Sequence, residues 1–188
     1  MNNGLEASRK LFETTRSVSK DILEQHSVSL SFDIKELQKT RLECVEEIAC
    51  ILMLGDSIRL FFKAHFWIDD AKTLAEKKYH LEKKHIQQNE ALDFMKEYCN
   101  IVSGKIKYGL KTMNFDVGQS LPIALGGYQE IFFQDHKKPD FVDSWELCCN
   151  DISVYCSLYV NFLNPNLVQT LATHQGPIDV TPNEVELF

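Results

Sequence analysis

The sequence predicts an α+β fold, a duplicated α–X–β–β–β unit with long helices packed on one face of a largely antiparallel sheet. Three observations carry this. Two long segments, about residues 5–25 and 89–111, place apolar residues at helical spacing. Two pairs of apolar or alternating runs flank the short turns Gly55-Asp56 and Asn150-Asp151, the pattern of a β-hairpin. The order helix, strand, loop, hairpin then occurs twice, the second copy beginning roughly ninety residues after the first.

Each element follows from local pattern. In the first helix, Leu11, Val18 and Ile22 form an apolar stripe. "HSVSLSFDI" alternates Val28, Leu30 and Phe32 against serines, which predicts a half-buried strand. "KELQKTRLE" reads as a polar loop. In the run "SIRLFFKAHFW", Ile58, Leu60, Phe62 and Ala64 share one face and Arg59, Lys63 and His65 the other. "DDAKTLAEKKYHLEKKH" is a charged helix whose charges read as a solvated face. After the second helix, Met113, Phe115 and Val117 alternate as in a strand. A longer loop, 119–140, holds Pro122, Gly126, Gly127 and Pro139. In the last hairpin Ile152, Val154, Cys156, Leu158 and Val160 alternate with polar or aromatic residues. The domain then spans residues 1–165, with pseudo-repeats at about 5–67 and 88–163. Residues 166–188 read as a mobile or surface-draped tail whose end, "NEVELF", frays.

Composition narrows the function classes. With 44 % hydrophobic and 25 % charged residues, the 188-residue chain is globular in type. Its net charge of −7 and lack of a long basic block argue against nucleic acid. The N-terminal stretch carries charges where a signal peptide needs an apolar core, and no window reaches the ~20 apolar residues of a membrane span. A cytoplasmic protein is expected. The six cysteines, Cys44, Cys50, Cys99, Cys148, Cys149 and Cys156, include no C-x-x-C pair and read as buried small hydrophobes. His80 and His85 are five apart, off a common helix face, so no zinc site is expected.

The stretch "DFMKEYCNIVSGK" is harder to explain as structure alone. At about 100° per residue, Leu92, Met95, Cys99, Val102 and Ile106 form the stripe that faces the sheet. Asp93, Glu97, Asn100 and Gly104 form a second stripe beside it. Asparagine is a poor helix former, and glycine costs about 1 kcal/mol relative to alanine. Taken structurally, Glu97 is merely exposed, Asn100 tolerated, and Gly104 needed where another backbone crosses. Taken functionally, the helix docks on a partner: Glu97 takes an ammonium, and the Asn100 carboxamide, a poor general base, positions a water. Orienting the water is most of the task in phosphoryl hydrolysis.

Asp93-x-x-x-Glu97-x-x-Asn100-x-x-x-Gly104, with Pro122 some twenty residues on in "SLPIALGG", resembles the signature of the CheX/CheC/FliY chemotaxis phosphatases. The likeness covers about residues 5–162, and the duplicated layout agrees with that CheC-like fold. It implies a phosphatase that dephosphorylates a CheY-type response-regulator receiver. Glu97 would pair with the receiver's lysine, Asn100 would orient the attacking water, and Asp93 and Gly104 would support partner docking. It implies no cofactor bound by this chain, the Mg²⁺ arriving on the phosphorylated receiver. In the first helix Glu13 is followed three residues later by Arg16, not asparagine, which leaves one site and points to the single-site CheX type. The alternative is a non-catalytic receiver-binding module that sequesters or scaffolds a response regulator.

Other chemistries find little support. Ser103-Gly104 lacks the G-x-S-x-G elbow, and "GGYQE" lacks the lysine and helix of a phosphate loop. Cys148-Cys149 reads as a strand end. The run Ile48–Leu54, apolar on both faces, would allow edge pairing and a homodimer.

Overall fold

The computed structural model describes residues 3–27, 29–37, 45–129 and 138–181. The elements are α1 (Asn3–His26), β1 (Asp33–Glu36), β2 (Glu47–Leu54), β3 (Ile58–Phe66), α2 (Ile68–Tyr79), α3 (Gln88–Thr112), β4 (Gly118–Gln119), β5 (Ile123–Gly126), β6 (Phe141–Cys149), β7 (Ile152–Phe162) and α4 (Pro165–Thr173). A single 3-10 turn, Lys83–His85, joins α2 to α3. All seven strands form one sheet in the order β1-β6-β7-β3-β2-β4, with β5 also on the outer side of β2. Every ladder is antiparallel. The fold is α+β, as the sequence predicts.

The helices lie on the sheet face lined by Ala49, Ile51, Leu60, Phe62, Trp145 and Cys156, all buried. Cys99 Sγ of α3 reaches the Ala49 carbonyl, and Tyr98 Oη donates to the Ser19 carbonyl of α1 at 3.2 Å. Trp145 Nε1 donates to Ser19 Oγ at 3.1 Å, so sheet, α1 and α3 meet at one point. The buried Thr15 and Ser19 hydroxyls of α1 cost little because they bond back to its own carbonyls, at Leu11 and Arg16. On the opposite sheet face Lys63 and His65 are also buried. Lys63 Nζ lies 4.7 and 4.2 Å from the ring centroids of Phe61 and Tyr159.

Both hairpins fall where expected, and Asn150 takes the left-handed conformation (φ 52°) that its turn demands. At the first turn Gly55 N–H donates to the Ile58 carbonyl. A Cβ built on Gly55 would lie 2.2 Å from the Asp116 carbonyl oxygen, so the backbone entering β4 crosses directly over the turn. Gly55→Ala should therefore cost about 1–3 kcal/mol. A thermal melt should show Tm lowered by several degrees, and an unchanged Tm would mean that this crossing is loose.

Five expectations about the elements are corrected. The alternation of Met113, Phe115 and Val117 does not form a strand: these residues lie in the turn and connection after α3, and β4 covers only Gly118–Gln119. The strand predicted from "HSVSLSFDI" lies later: Phe32 is buried, but β1 itself is exposed throughout, and Val28 is outside the described residues. Phe32 is fixed by its N–H, which donates to Glu24 Oε1, rather than by a ladder. The 119–140 loop contains β5, four residues on the edge side of β2, with Pro122 just before the paired segment. The segment after Asn164 is not a draped tail over its described length. Asn164 Oδ1 caps α4, Pro165 takes its first turn, and Leu167 and Leu171 are buried. Lys10 Nζ of α1 donates to the carbonyls of Ala172 and His174. Ile178 is buried, and a Cβ on Gly109 would sit 2.7 Å from its Cγ2. "NEVELF" lies outside the described residues.

Finally, Ile48–Leu54 is no sheet edge, because β2 is flanked by β3 on one side and by β4 and β5 on the other. The apolar second face reflects burial, not a strand awaiting a partner. Cys50, Cys99 and Cys156 are buried, while Cys148 and Cys149 are half-exposed at the end of β6. Cys44 is outside the described residues. Burial pushes the Cys156 thiol up to about 12, which keeps it inert.

Candidate functional site

Helix α3 owes its start to a reciprocal cap. The side chain of Gln87 accepts from the first-turn backbone, and the Glu90 carboxylate accepts from Gln87 N–H at 2.7 Å. Met95, Tyr98, Cys99, Val102 and Ile106 then bury one face against the sheet. That burial fixes the rotation of the helix and so decides what faces solvent. Asp93, Glu97 and Asn100 are exposed, and Gly104 is half-buried one turn further on. The four residues singled out from sequence thus share one accessible surface.

Each has a defined setting. Asp93 Oδ1 pairs with Lys96 Nζ at 2.5 Å on its own helix. Glu97, 48 % exposed, accepts from Lys78 Nζ of α2 at 2.7 Å, and the lysine is itself only 21 % exposed. Lys78 Nζ also lies 5.6 and 5.7 Å from the rings of Tyr79 and Phe94. Asn100 Oδ1 accepts from Gln119 Nε2 at 2.7 Å, and the same nitrogen donates to the Asn100 main-chain carbonyl at 3.2 Å. Among the described residues nothing lies within 4 Å of a Cβ built on Gly104. The reading that Gly104 admits another backbone finds no such crossing among the described residues, and the space beside it is open there.

Lys78 and Gln119 were not legible as neighbours of this surface. Lys78 sits in the charge run taken as a solvated face, and Gln119 in a segment with no pattern of its own. Just beyond Gln119, Leu121 is 86 % exposed, the most exposed large apolar side chain described. Pro122 follows it, half-buried at the entry to β5. Among the described residues no group of three or more His, Cys, Asp or Glu is placed to hold a metal ion.

On α1, where Glu13-x-x-Arg16 stands in place of Glu97-x-x-Asn100, the surface is differently used. Arg16 Nε and Nη2 bond both oxygens of Asp143 at 2.7 and 2.6 Å, and Nη1 pairs with Glu36 at 2.5 Å. This fork holds α1 to β6 and β1 and keeps the guanidinium charged.

His26 closes the C-terminal end of α1 and packs edge-on to Phe94, the ring centroids 6.3 Å apart. Burial, and then the charge of Lys78, lower its pKa, with Glu97 opposing. The sign follows directly. Above its unfolded value near 6.5 the imidazole is neutral in both states. As pH falls through that value the unfolded chain takes up a proton that the folded chain refuses, so stability is lost. Tm should fall between pH 7 and pH 5, and the fall should be smaller in His26→Phe. Parallel curves for the two proteins would remove His26 as the cause.

The sequence matches no protein-family model and no curated protein. Solved structures do match. A CheC-like superfamily protein from Shewanella sp. PV-4 aligns with TM-score 0.66 and 14 % identity over 81 % of this chain and 97 % of its own. Chemotaxis protein CheX from Vibrio vulnificus aligns with TM-score 0.62 and 16 % identity over 79 % of this chain and 95 % of its own. A chain from a CheX–CheY–BeF3–Mg²⁺ complex of Borrelia burgdorferi gives TM-score 0.63 and 13 % identity over 80 % and 97 %. Among the described residues, no helix is long and apolar enough to cross a membrane. The chain has the fold of the CheC-like and CheX chemotaxis proteins.

Proposed function

We propose that the protein is a cytoplasmic phosphatase of a phosphorylated CheY-type response-regulator receiver in chemotaxis signalling. The observation that carries this is the exposed pairing of Glu97 and Asn100 one turn apart on α3, beside open space at Gly104. A receiver laid along this surface brings its lysine to Glu97, which exchanges Lys78 for the new ammonium. The Asn100 carboxamide then holds a water in line with the aspartyl phosphate, accepting from the water through oxygen and donating to a phosphoryl oxygen through nitrogen. Asp93 and Gly104 shape the docking surface. The receiver supplies its own Mg²⁺, which neutralises charge developing on the phosphoryl oxygens.

The test is loss of phosphate from a CheY-type receiver charged with a small phosphodonor, with this protein substoichiometric. Many turnovers per molecule would establish catalysis. Binding without acceleration would favour the receiver-binding module, a reading to which the prior engagement of Glu97 by Lys78 lends some support. Glu97→Ala should raise KM roughly tenfold, because the receiver's ammonium then meets no carboxylate. An unchanged KM would place docking elsewhere on the surface.

A further inference from the structure

Which end of the Asn100 carboxamide faces outward decides what it can do, and the surroundings settle it. Gln119 Nε2 lies 3.2 Å from the Asn100 main-chain carbonyl and 2.7 Å from the Asn100 side chain. The main-chain oxygen can only accept, so the Gln119 atom facing it must be the NH2. The Asn100 atom facing that same NH2 must then be Oδ1, since Nδ2 there would set donor against donor. Flipping either amide loses a bond and creates a repulsion. Nδ2 is left pointing outward and has no partner among the described residues.

Gln119 is itself well held. It lies in β4, paired to Met53 of β2. The next residue, Ser120, donates its N–H to the Leu52 carbonyl and accepts Leu52 N–H on Oγ, at 2.9 and 3.1 Å. A side chain on a strand locked to the sheet therefore aims a side chain on a helix.

The geometry points to Gln119 as the positioning residue of the site: it fixes the Asn100 carboxamide nitrogen-outward, with one oxygen lone pair left for a water. This rests on the proposed function for its catalytic consequence but not for its geometry. The outward NH2 meets the receiver's phosphoryl oxygens, and the remaining lone pair of Oδ1 accepts from the attacking water. An Asn100 free to rotate would spend part of its time with the two ends exchanged and the water misplaced.

Two variants test this. Gln119→Leu removes the donor, and Gln119→Glu keeps the shape while replacing the donor by an ionised acceptor. In steady-state dephosphorylation, Gln119→Leu should lower kcat about tenfold and leave KM within twofold, with an unchanged Tm separating this from loss of folding, which would also lower apparent kcat at constant KM. Gln119→Glu should be as impaired at pH 8 and should recover relative to wild type as pH is lowered to 5, because the protonated carboxyl donates again. Wild-type kcat in Gln119→Leu, or full activity of Gln119→Glu at pH 8, would overturn the assignment. NMR of the intact protein separates this from the proposed function. The Asn100 side-chain NH2 signals should shift in Gln119→Leu whether or not the wild type turns over phosphate. If they stay in place the positioning fails, and if they shift while wild type leaves the receiver phosphorylated, only the phosphatase reading fails.

Discussion

Asn100→Ala should leave the protein folded and lower kcat for receiver dephosphorylation by about 10²- to 10³-fold, the usual cost of removing one oriented donor from a reacting centre. The side chain is exposed, and its side-chain partner among the described residues is Gln119. Alanine is the better helix former by a few tenths of a kcal/mol, so Tm should hold or rise slightly. The two readouts must separate. Full activity in the variant would assign the water to another group, and loss of folding would put Asn100 in the core. KM should barely move, since the carboxamide acts on the water and not on the docking contact.

The second large effect is structural. Trp145→Ala should lower stability by about 3–5 kcal/mol, the cost of deleting a fully buried indole. Trp145 lies 6.2 Å from Phe62, centroid to centroid, and its Nε1 holds Ser19 of α1. That is a large share of the roughly 5–15 kcal/mol that holds a domain together. At about 2–4 °C per kcal/mol, Tm should fall by roughly 6–20 °C in a thermal melt. Trp145→Phe should recover much of this, because most of the volume returns. A melt within 2 °C of wild type would show that α1 is anchored without the indole. Ser19 is also where Tyr98 of α3 bonds, so loosening this point should disturb the helix carrying Glu97 and Asn100.

The parts of the fold legible in sequence were those fixed by local pattern. Both hairpins carried apolar or alternating runs around a short turn, with Asn150 taking positive φ in the second, and α3 carried a stripe long enough to set its rotation. Where order came from distant contacts, the reading failed. β5 is four residues long, follows a proline, and exists because β2 offers it an edge. α4 has a local signature in Asn164-Pro165 that the reading of the tail did not use, and it is held from a distance by Lys10 of α1. β1 was placed too early because Phe32 looked like a strand residue, whereas it is held by Glu24. The site divides in the same way. Asp93, Glu97, Asn100 and Gly104 lie on one helix and were found together, while Lys78 and Gln119 reach them from 19 residues away in opposite directions.

The Lys78–Glu97 pair has a bearing on how long a complex would last. A receiver lysine arriving at Glu97 exchanges one ammonium for another, so the contact yields less net electrostatic energy than a carboxylate with no prior partner would give, which holds the expected effect of Glu97→Ala to about tenfold in KM. Lys78, released, has the faces of Tyr79 and Phe94 beside it as an alternative resting place. Association is thereby kept shallow at the contact that would otherwise grip hardest, and departure of the spent receiver is assisted by a cation waiting to reclaim its place. Under the proposed function that favours short residence over tight capture, which suits a molecule that must let go after every cycle.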